Sequence, residues 1–139
     1  KRGSMNILSP SILAADCAKL GEQIDLVQQR PERSICIFDI MDGMFVPSIS
    51  FGMPVLASIQ GATGQFMDVH LMIEEPIRYI EEFKKAGADL LTVHLEACKD
   101  VKATLDAIHE AGMKVGLSIC PETPAEEVEP IWKSGHESL

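Results

Sequence analysis

Short apolar runs of strand length recur along this chain, and a polar side chain and then a helical segment follow each of them. Asp39 and His70 stand at the ends of the second and third runs, with Ser11, His94 and Ser118 at the corresponding places of the others. Alternating strands and helices predict a parallel sheet, and the carboxyl ends of parallel strands meet at one edge. We therefore predict an α/β fold with the active-site layout of an α/β barrel.

The runs and the segments between them predict about five βα units without an internal linker. The predicted strands cover 6–9, 34–39, 65–71, 89–93 and 114–118, and the helices cover 17–29, 54–60, 76–86, 101–111 and a segment from 124. A closed TIM (β/α)8 barrel needs eight units in about 250 residues. With 139 residues, the chain is expected to be a partial barrel that is truncated after about the fifth unit.

The expected domain organisation has three parts. Residues 1–4 precede a methionine and are interpreted as tag-like or as a miscalled N-terminus. Residues 5–131 form the incomplete barrel domain, and residues 132–139 form a divergent tail. The 46% hydrophobic content is sufficient for a core in a domain of this length.

The net charge of −9 and the pI of about 4.8 argue against nucleic-acid binding, which requires neutralisation of phosphates. No apolar run is long enough to cross a bilayer. The four cysteines show neither a CxxC pair nor the spacing of a disulfide-rich domain. We therefore expect a cytoplasmic protein that acts on a small soluble substrate and binds neither nucleic acid nor membrane.

Asp39 and His70 are the main candidates for chemistry. A carboxylate at a strand end can ligate a divalent metal and move a proton beside a carbonyl that the metal polarises. An aspartate like Asp39, taken alone, is more often a residue that caps a helix or a turn, and a histidine like His70 is more often a core side chain. The presence of both at matching strand ends favours one shared site. Met41 and Met72 could line its pocket, although methionine is more often core filler. His94 is a weaker candidate for lining the site.

Four segments resemble ribulose-phosphate 3-epimerase, in order and at the right separations: 9–16, 38–47, 68–72 and 94–97. The resemblance implies a (β/α)8 barrel that interconverts D-ribulose 5-phosphate and D-xylulose 5-phosphate in the pentose phosphate pathway. It also implies a divalent metal, with zinc or iron first and manganese or cobalt as alternatives. In this family the metal stabilises an enediolate while one aspartate removes the C3 proton and a second returns a proton on the opposite face.

Carried onto this chain, the resemblance makes Asp39 the first acid/base and a metal ligand. It makes His70 a ligand that also touches substrate, and Ser11 a substrate contact. Two departures stand out. The family has a ligand histidine where this chain has Ile37, and its second aspartate and phosphate-binding loops would follow Leu139. We therefore expect the activity of this chain to be impaired.

Frameshifts are one explanation for both departures. One set of codons that could encode residues 30–37 also encodes, when read in another frame, a segment that places a histidine directly before Phe38. Codons that can encode residues 132–137 restore, in another frame, a segment resembling the start of strand six. We therefore expect frameshifts or sequencing errors at these two places.

Two alternative functions remain open. One is D-allulose-6-phosphate 3-epimerase, which shares the fold and the metal site. The other is a non-catalytic half-barrel fragment that associates with itself or with a partner. An open sheet would expose two edges and an inner face that includes alternate apolar residues of 66–71, 90–93 and 115–117, so a homo-oligomer is expected.

Overall fold

The computed structural model describes residues 9–29 and 35–133. Within these ranges four parallel strands form one sheet in sequence order: β1 (Cys36–Met41), β2 (Met67–Met72), β3 (Leu90–His94) and β4 (Lys114–Ser118). The helices are α1 (Leu20–Gln28), α2 (Met53–Thr63), α3 (Ile80–Lys85), α4 (Val101–Glu110) and α5 (Glu129–Lys133). This alternation confirms the predicted α/β fold and the partial (β/α) barrel.

The segment that follows the predicted first strand lies beside β1. The backbone N–H of Ile37 donates to the carbonyl of Pro10 at 3.0 Å, and Ser11 forms a parallel bridge with Ile37. Most of the predicted strand, residues 6–8, lies outside the described residues, as do residues 1–4, 30–34 and 134–139. Ser11 therefore lies beside β1, on the side where the first strand was predicted.

The core lies between the sheet and its helices. Strand residues alternate between two faces, and on the helix-covered face Phe38, Val69, Leu91 and Val93 are 0% exposed. Side chains from the helices complete this layer: Leu56, Phe83, Leu105 and Ile108. Burying each such side chain stabilises the fold by about 1.5–3 kcal/mol. This layer therefore holds the strand ends in place.

The expectation about the opposite face of the sheet is wrong. Met67, Val69 and Leu71, which we expected to be exposed on the inner face, are fully buried on the helix-covered face. Because side chains alternate with a period of two, the intervening Asp68 and His70 occupy the inner face and are only half-buried. The inner face is therefore largely polar where it was expected to be apolar.

Three predicted helices begin with a 3-10 turn, and in the last of them Ala125–Glu127 precedes α5. Asp16 caps the first, because its Oδ1 accepts from the N–H of Ala18 at 3.0 Å, and α1 starts only after this turn, at Leu20. The 3-10 turn Pro76–Tyr79 likewise precedes α3.

None of the helices in residues 9–29 and 35–133 has the length and apolar character required to span a bilayer.

Candidate active site

Ser11, Asp39 and His70 meet at the carboxyl edge of the sheet. Asp39 and His70 are register partners on β1 and β2, and Nδ1 of His70 lies 3.0 Å from Oδ1 of Asp39. The hydroxyl of Ser11 donates to the other carboxylate oxygen, Oδ2. Neighbouring strands lie about 4.8 Å apart, so the register itself places these side chains within reach. Both oxygens of Asp39 are thereby held in position.

His94 extends this line of polar groups onto β3. Its Nε2 lies 2.8 Å from Nε2 of His70, and the two rings stack with centroids 5.0 Å apart. The ring of Phe45 covers His94 at 5.2 Å, and only 9% of the residue is exposed. Burial, and then the neighbouring His70, lower the pKa of His94. The lowered pKa favours the neutral form of the His94 imidazole.

Met41 and Met72 are register partners at the carboxyl ends of β1 and β2. Each lies two residues beyond a site residue, Asp39 or His70, and therefore shares its face of the sheet. Both methionines are half-buried. Their position agrees with a lining role, which stays a prediction.

Asp42 organises the loop that leaves β1 beside the site. Its Oδ1 accepts from the N–H groups of Met44 and Phe45 at 2.8 and 2.9 Å, and its Oδ2 accepts from the N–H of Glu74 at 2.8 Å. Burial acts to raise the pKa of Asp42, but these backbone donors outweigh it and lower the pKa below its usual value. The ionised side chain thus ties the loops after β1 and β2 together.

Asp68 lies on the same face as His70, further from the carboxyl edge. It accepts a hydrogen bond from Oγ1 of Thr92 at 3.4 Å, and burial raises the pKa of its carboxyl group. Thr92 in turn fills the space above Gly116, where an added Cβ would lie 2.2 Å from its Oγ1. Asp68 is therefore a packed neighbour of the site with its own partner.

Glu96 and Cys120 lie beside His94, and neither of them was assigned to a site from the sequence. Oε1 of Glu96 accepts from the backbone N–H of Cys120 at 2.7 Å and from the hydroxyl of Thr123. These bonds join the loops that follow β3 and β4. Glu96 lies in the segment 94–97 that carries the family resemblance, but no role was assigned to it. Nothing in the cysteine spacing pointed to Cys120.

The chain is similar to known proteins along most of its length. The sequence model of the ribulose-phosphate 3 epimerase family matches residues 7–135. The ribulose-phosphate 3-epimerase of Bacillus subtilis is 46% identical over 125 residues, which cover 90% of this chain and 57% of that protein. The Rhodobacter capsulatus enzyme is 44% identical, over 89% of this chain and 54% of its own length. The chain thus spans about half the length of these relatives, and it belongs to the ribulose-phosphate 3-epimerase family.

Proposed function

We propose that the protein transfers a proton at C3 of D-ribulose 5-phosphate and D-xylulose 5-phosphate, with Asp39 as the acid/base. The observation that carries this proposal is the position of Asp39 at a strand end, with one oxygen bound by Ser11 and the other 3.0 Å from His70. A carboxylate fixed in this way needs little reorganisation to meet a C–H bond. The relatives, which are named for this reaction, support the choice of substrate.

The proposed step uses groups of this chain in distinct roles. Asp39 takes the C3 proton, the electron pair of the C–H bond moves into the C2–C3 bond, and negative charge develops on the C2 oxygen. Ser11 holds the carboxylate and contacts substrate, while His70 lies where it can contact the substrate oxygens. Met41 and Met72 would line the apolar side of the pocket. Return of the proton to C3 from Asp39 or from a group on the opposite face completes the transfer.

The donor atoms of the site fit a divalent metal. Oδ1 of Asp39 and Nδ1 of His70 are 3.0 Å apart, at hydrogen-bonding distance, and a small opening to about 3.4 Å would let both bind one tetrahedral zinc ion at bond lengths near 2.0–2.2 Å. We therefore propose Asp39 and His70 as its ligands, with zinc or iron as the first choices and manganese or cobalt as alternatives. When bound there, the ion would supply a Lewis acid for the C2 oxygen.

Replacing Ile37 by histidine is expected to strengthen zinc binding by at least about tenfold, the lower end of the effects that shell residues have on metal affinity. Ile37 lies two residues before Asp39 on β1 and shares its face. An imidazole there adds a neutral nitrogen ligand of the kind zinc prefers. Zinc titration by calorimetry measures the change, with Leu90→His as a control two strands away on the same face. Unchanged affinity in Ile37→His would show that residue 37 does not occupy the ligand position.

Exchange of the C3 proton with solvent tests the proposed substrate directly. Ribulose 5-phosphate carrying deuterium at C3 is incubated with the protein, and loss of deuterium is followed by mass spectrometry. One carboxylate on one face suffices for exchange, so the assay isolates the step given to Asp39. Faster washout from allulose 6-phosphate would favour the hexulose-phosphate enzyme. Absence of washout from both sugars would favour a fragment that binds without catalysis.

We also propose that the protein is cytoplasmic and forms a homo-oligomer. Among the strands of the described residues, β4 pairs with β3, and a sheet edge that stays open is a template for association. This edge replaces the expected apolar inner face as the reason for assembly. Sedimentation velocity at micromolar concentration should find a dimer or a larger species. A single compact monomer peak would remove this proposal and leave the site unaffected.

A further inference from the structure

Three different donor atoms face one another beside His94, away from Asp39. Nδ1 of His94 lies 3.7 Å from Oε2 of Glu96 and 3.9 Å from Sγ of Cys120. One ligand atom from each residue falls within 4.8 Å of the others. An N–H to oxygen hydrogen bond is shorter than about 3.2 Å. Two ligands of one tetrahedral zinc ion, at bond lengths of 2.0–2.3 Å, lie about 3.4–3.6 Å apart. The separation of Nδ1 from Oε2 is thus closer to that of two zinc ligands than to a hydrogen bond, and Sγ lies at the longer distance of a weak thiol contact to the same nitrogen.

We propose that His94, Glu96 and Cys120 form a second divalent-cation site, of the zinc class, with Nδ1, Oε2 and Sγ as its ligands. Nitrogen, oxygen and sulfur are the three donor types that zinc accepts in proteins. Three protein ligands leave a fourth tetrahedral position for water. The site is separate from the pair Asp39 and His70, because it uses the opposite edge of the His94 ring and the loops after β3 and β4.

The structure already orients the proposed ligands. Oε1 of Glu96 is held by Cys120 N–H and by Thr123 Oγ1, which leaves Oε2 directed at His94. The His94 ring is fixed through its other nitrogen, which lies 2.8 Å from Nε2 of His70. Metal-binding histidines commonly use their second nitrogen in this way. Binding of an ion would therefore order few additional side chains.

The hydrogen bonds along the site assign the protons of these rings. When no ion lies between Asp39 and His70, the carboxylate of Asp39 can only accept, so Nδ1 of His70 carries its proton and Nε2 of His70 is an acceptor. Nε2 of His94 must then donate to it. In this tautomer Nδ1 of His94 has a lone pair that faces Oε2 of Glu96, and the thiol of Cys120 is the hydrogen-bond donor near it. A cation between the two converts this repulsive contact into two bonds.

Electrostatics around Cys120 point the same way. Burial, followed by the nearby Glu96, raises the pKa of the Cys120 thiol, because a thiolate beside a carboxylate lacks a compensating charge. Glu96 itself is held in its ionised form: burial acts to raise its pKa, but the hydrogen bonds from Thr123 and Cys120 lower it. A bound divalent ion reverses the balance at the thiol, since a coordinating thiol is deprotonated outright. The cation supplies the charge that this group of residues lacks.

Cobalt titration of the full chain tests the proposal, because a cobalt–thiolate bond produces a charge-transfer band in the near ultraviolet. We expect this band in the unaltered protein and in Asp39→Asn, which removes a ligand of the other site. Cys120→Ser should abolish the band, and Glu96→Gln should weaken cobalt binding by at least about tenfold. Cys17→Ser is the matched control, because Cys17 is exposed and lies in a different part of the fold, so the band should persist.

A protection experiment on the unaltered chain avoids dependence on the folding of a variant. Zinc should slow alkylation of Cys120 by iodoacetamide, measured for each cysteine by mass spectrometry, and should leave alkylation of Cys17 unchanged. Absence of the cobalt band in the unaltered protein, its survival in Cys120→Ser, or unprotected Cys120 would each overturn the proposal. Loss of the band in Asp39→Asn would show that the thiolate site depends on Asp39, and it would overturn the claim that the two sites are separate.

Discussion

Asp39→Asn is expected to slow C3 proton exchange by about 10²–10⁴-fold, the usual contribution of a general acid/base. Asparagine has nearly the same shape, and its oxygen can still accept the hydrogen bond from Ser11. The amide has no basic oxygen to take a proton from carbon. The loss should therefore appear in the rate of exchange, with little change in the fold. Deuterium washout and far-ultraviolet circular dichroism on the same samples measure the two quantities.

Asp68→Asn is the matched control for this prediction. Asp68 lies on the same face, pairs with Ile37 in the register and has its own partner in Thr92. Asp68→Asn removes one carboxylate from the sheet, as Asp39→Asn does. Asp68 is not a group that we place at C3 of the substrate. Exchange should therefore stay close to that of the unaltered protein. Equal losses in the two variants would indicate a general effect of charge and would argue against Asp39 as the base.

Phe38→Ala is expected to lower the free energy of unfolding by about 3–5 kcal/mol, as for other large aromatic truncations in cores. Phe38 is 0% exposed, and its ring meets Phe51 edge-on at 6.2 Å. Removing the ring forfeits its burial and leaves a cavity beneath β1. Because Asp39 follows directly in the chain, the same change should loosen the site. Urea unfolding followed by circular dichroism measures the loss.

Ile49→Ala serves as the comparison for Phe38, since Ile49 is 79% exposed. Surface substitutions usually change stability by less than about 0.5 kcal/mol. The two variants thus contrast a core with a surface position in the same part of the chain. A loss below about 1 kcal/mol for Phe38→Ala would mean that this layer does not hold β1.

The sequence predicted the sheet order and three members of the site because these depend on local patterns. An apolar run followed by a polar residue marks the end of a buried strand, and parallel pairing then brings Asp39 and His70 together without any knowledge of the loops. Ser11 follows from the same rule one strand earlier. The family resemblance rests on these segments, which is why the fold and the candidate site could be predicted together.

The remaining features depend on contacts that no local pattern encodes. The position of His94 against His70 follows from the register of β3 and from ring orientation. Glu96 meets Cys120 only because two loops converge. The inner face was misjudged because alternation predicts two faces but not which one the helices cover. Register, side-chain orientation and layer order therefore had to come from the structure.

The sequential order of the strands has a consequence for how the protein acquires its site. Within the described residues, each strand of the sheet pairs with the strands before and after it in the chain, so each pairing closes one βα unit. The entropy cost of closing a loop rises with its length, so pairing consecutive strands costs less than pairing remote ones. The line from Asp39 through His70 to His94 is complete once β3 docks, while Cys120 joins only after β4. Assembly of the chain therefore builds the proposed catalytic pair first and the proposed second cation site last.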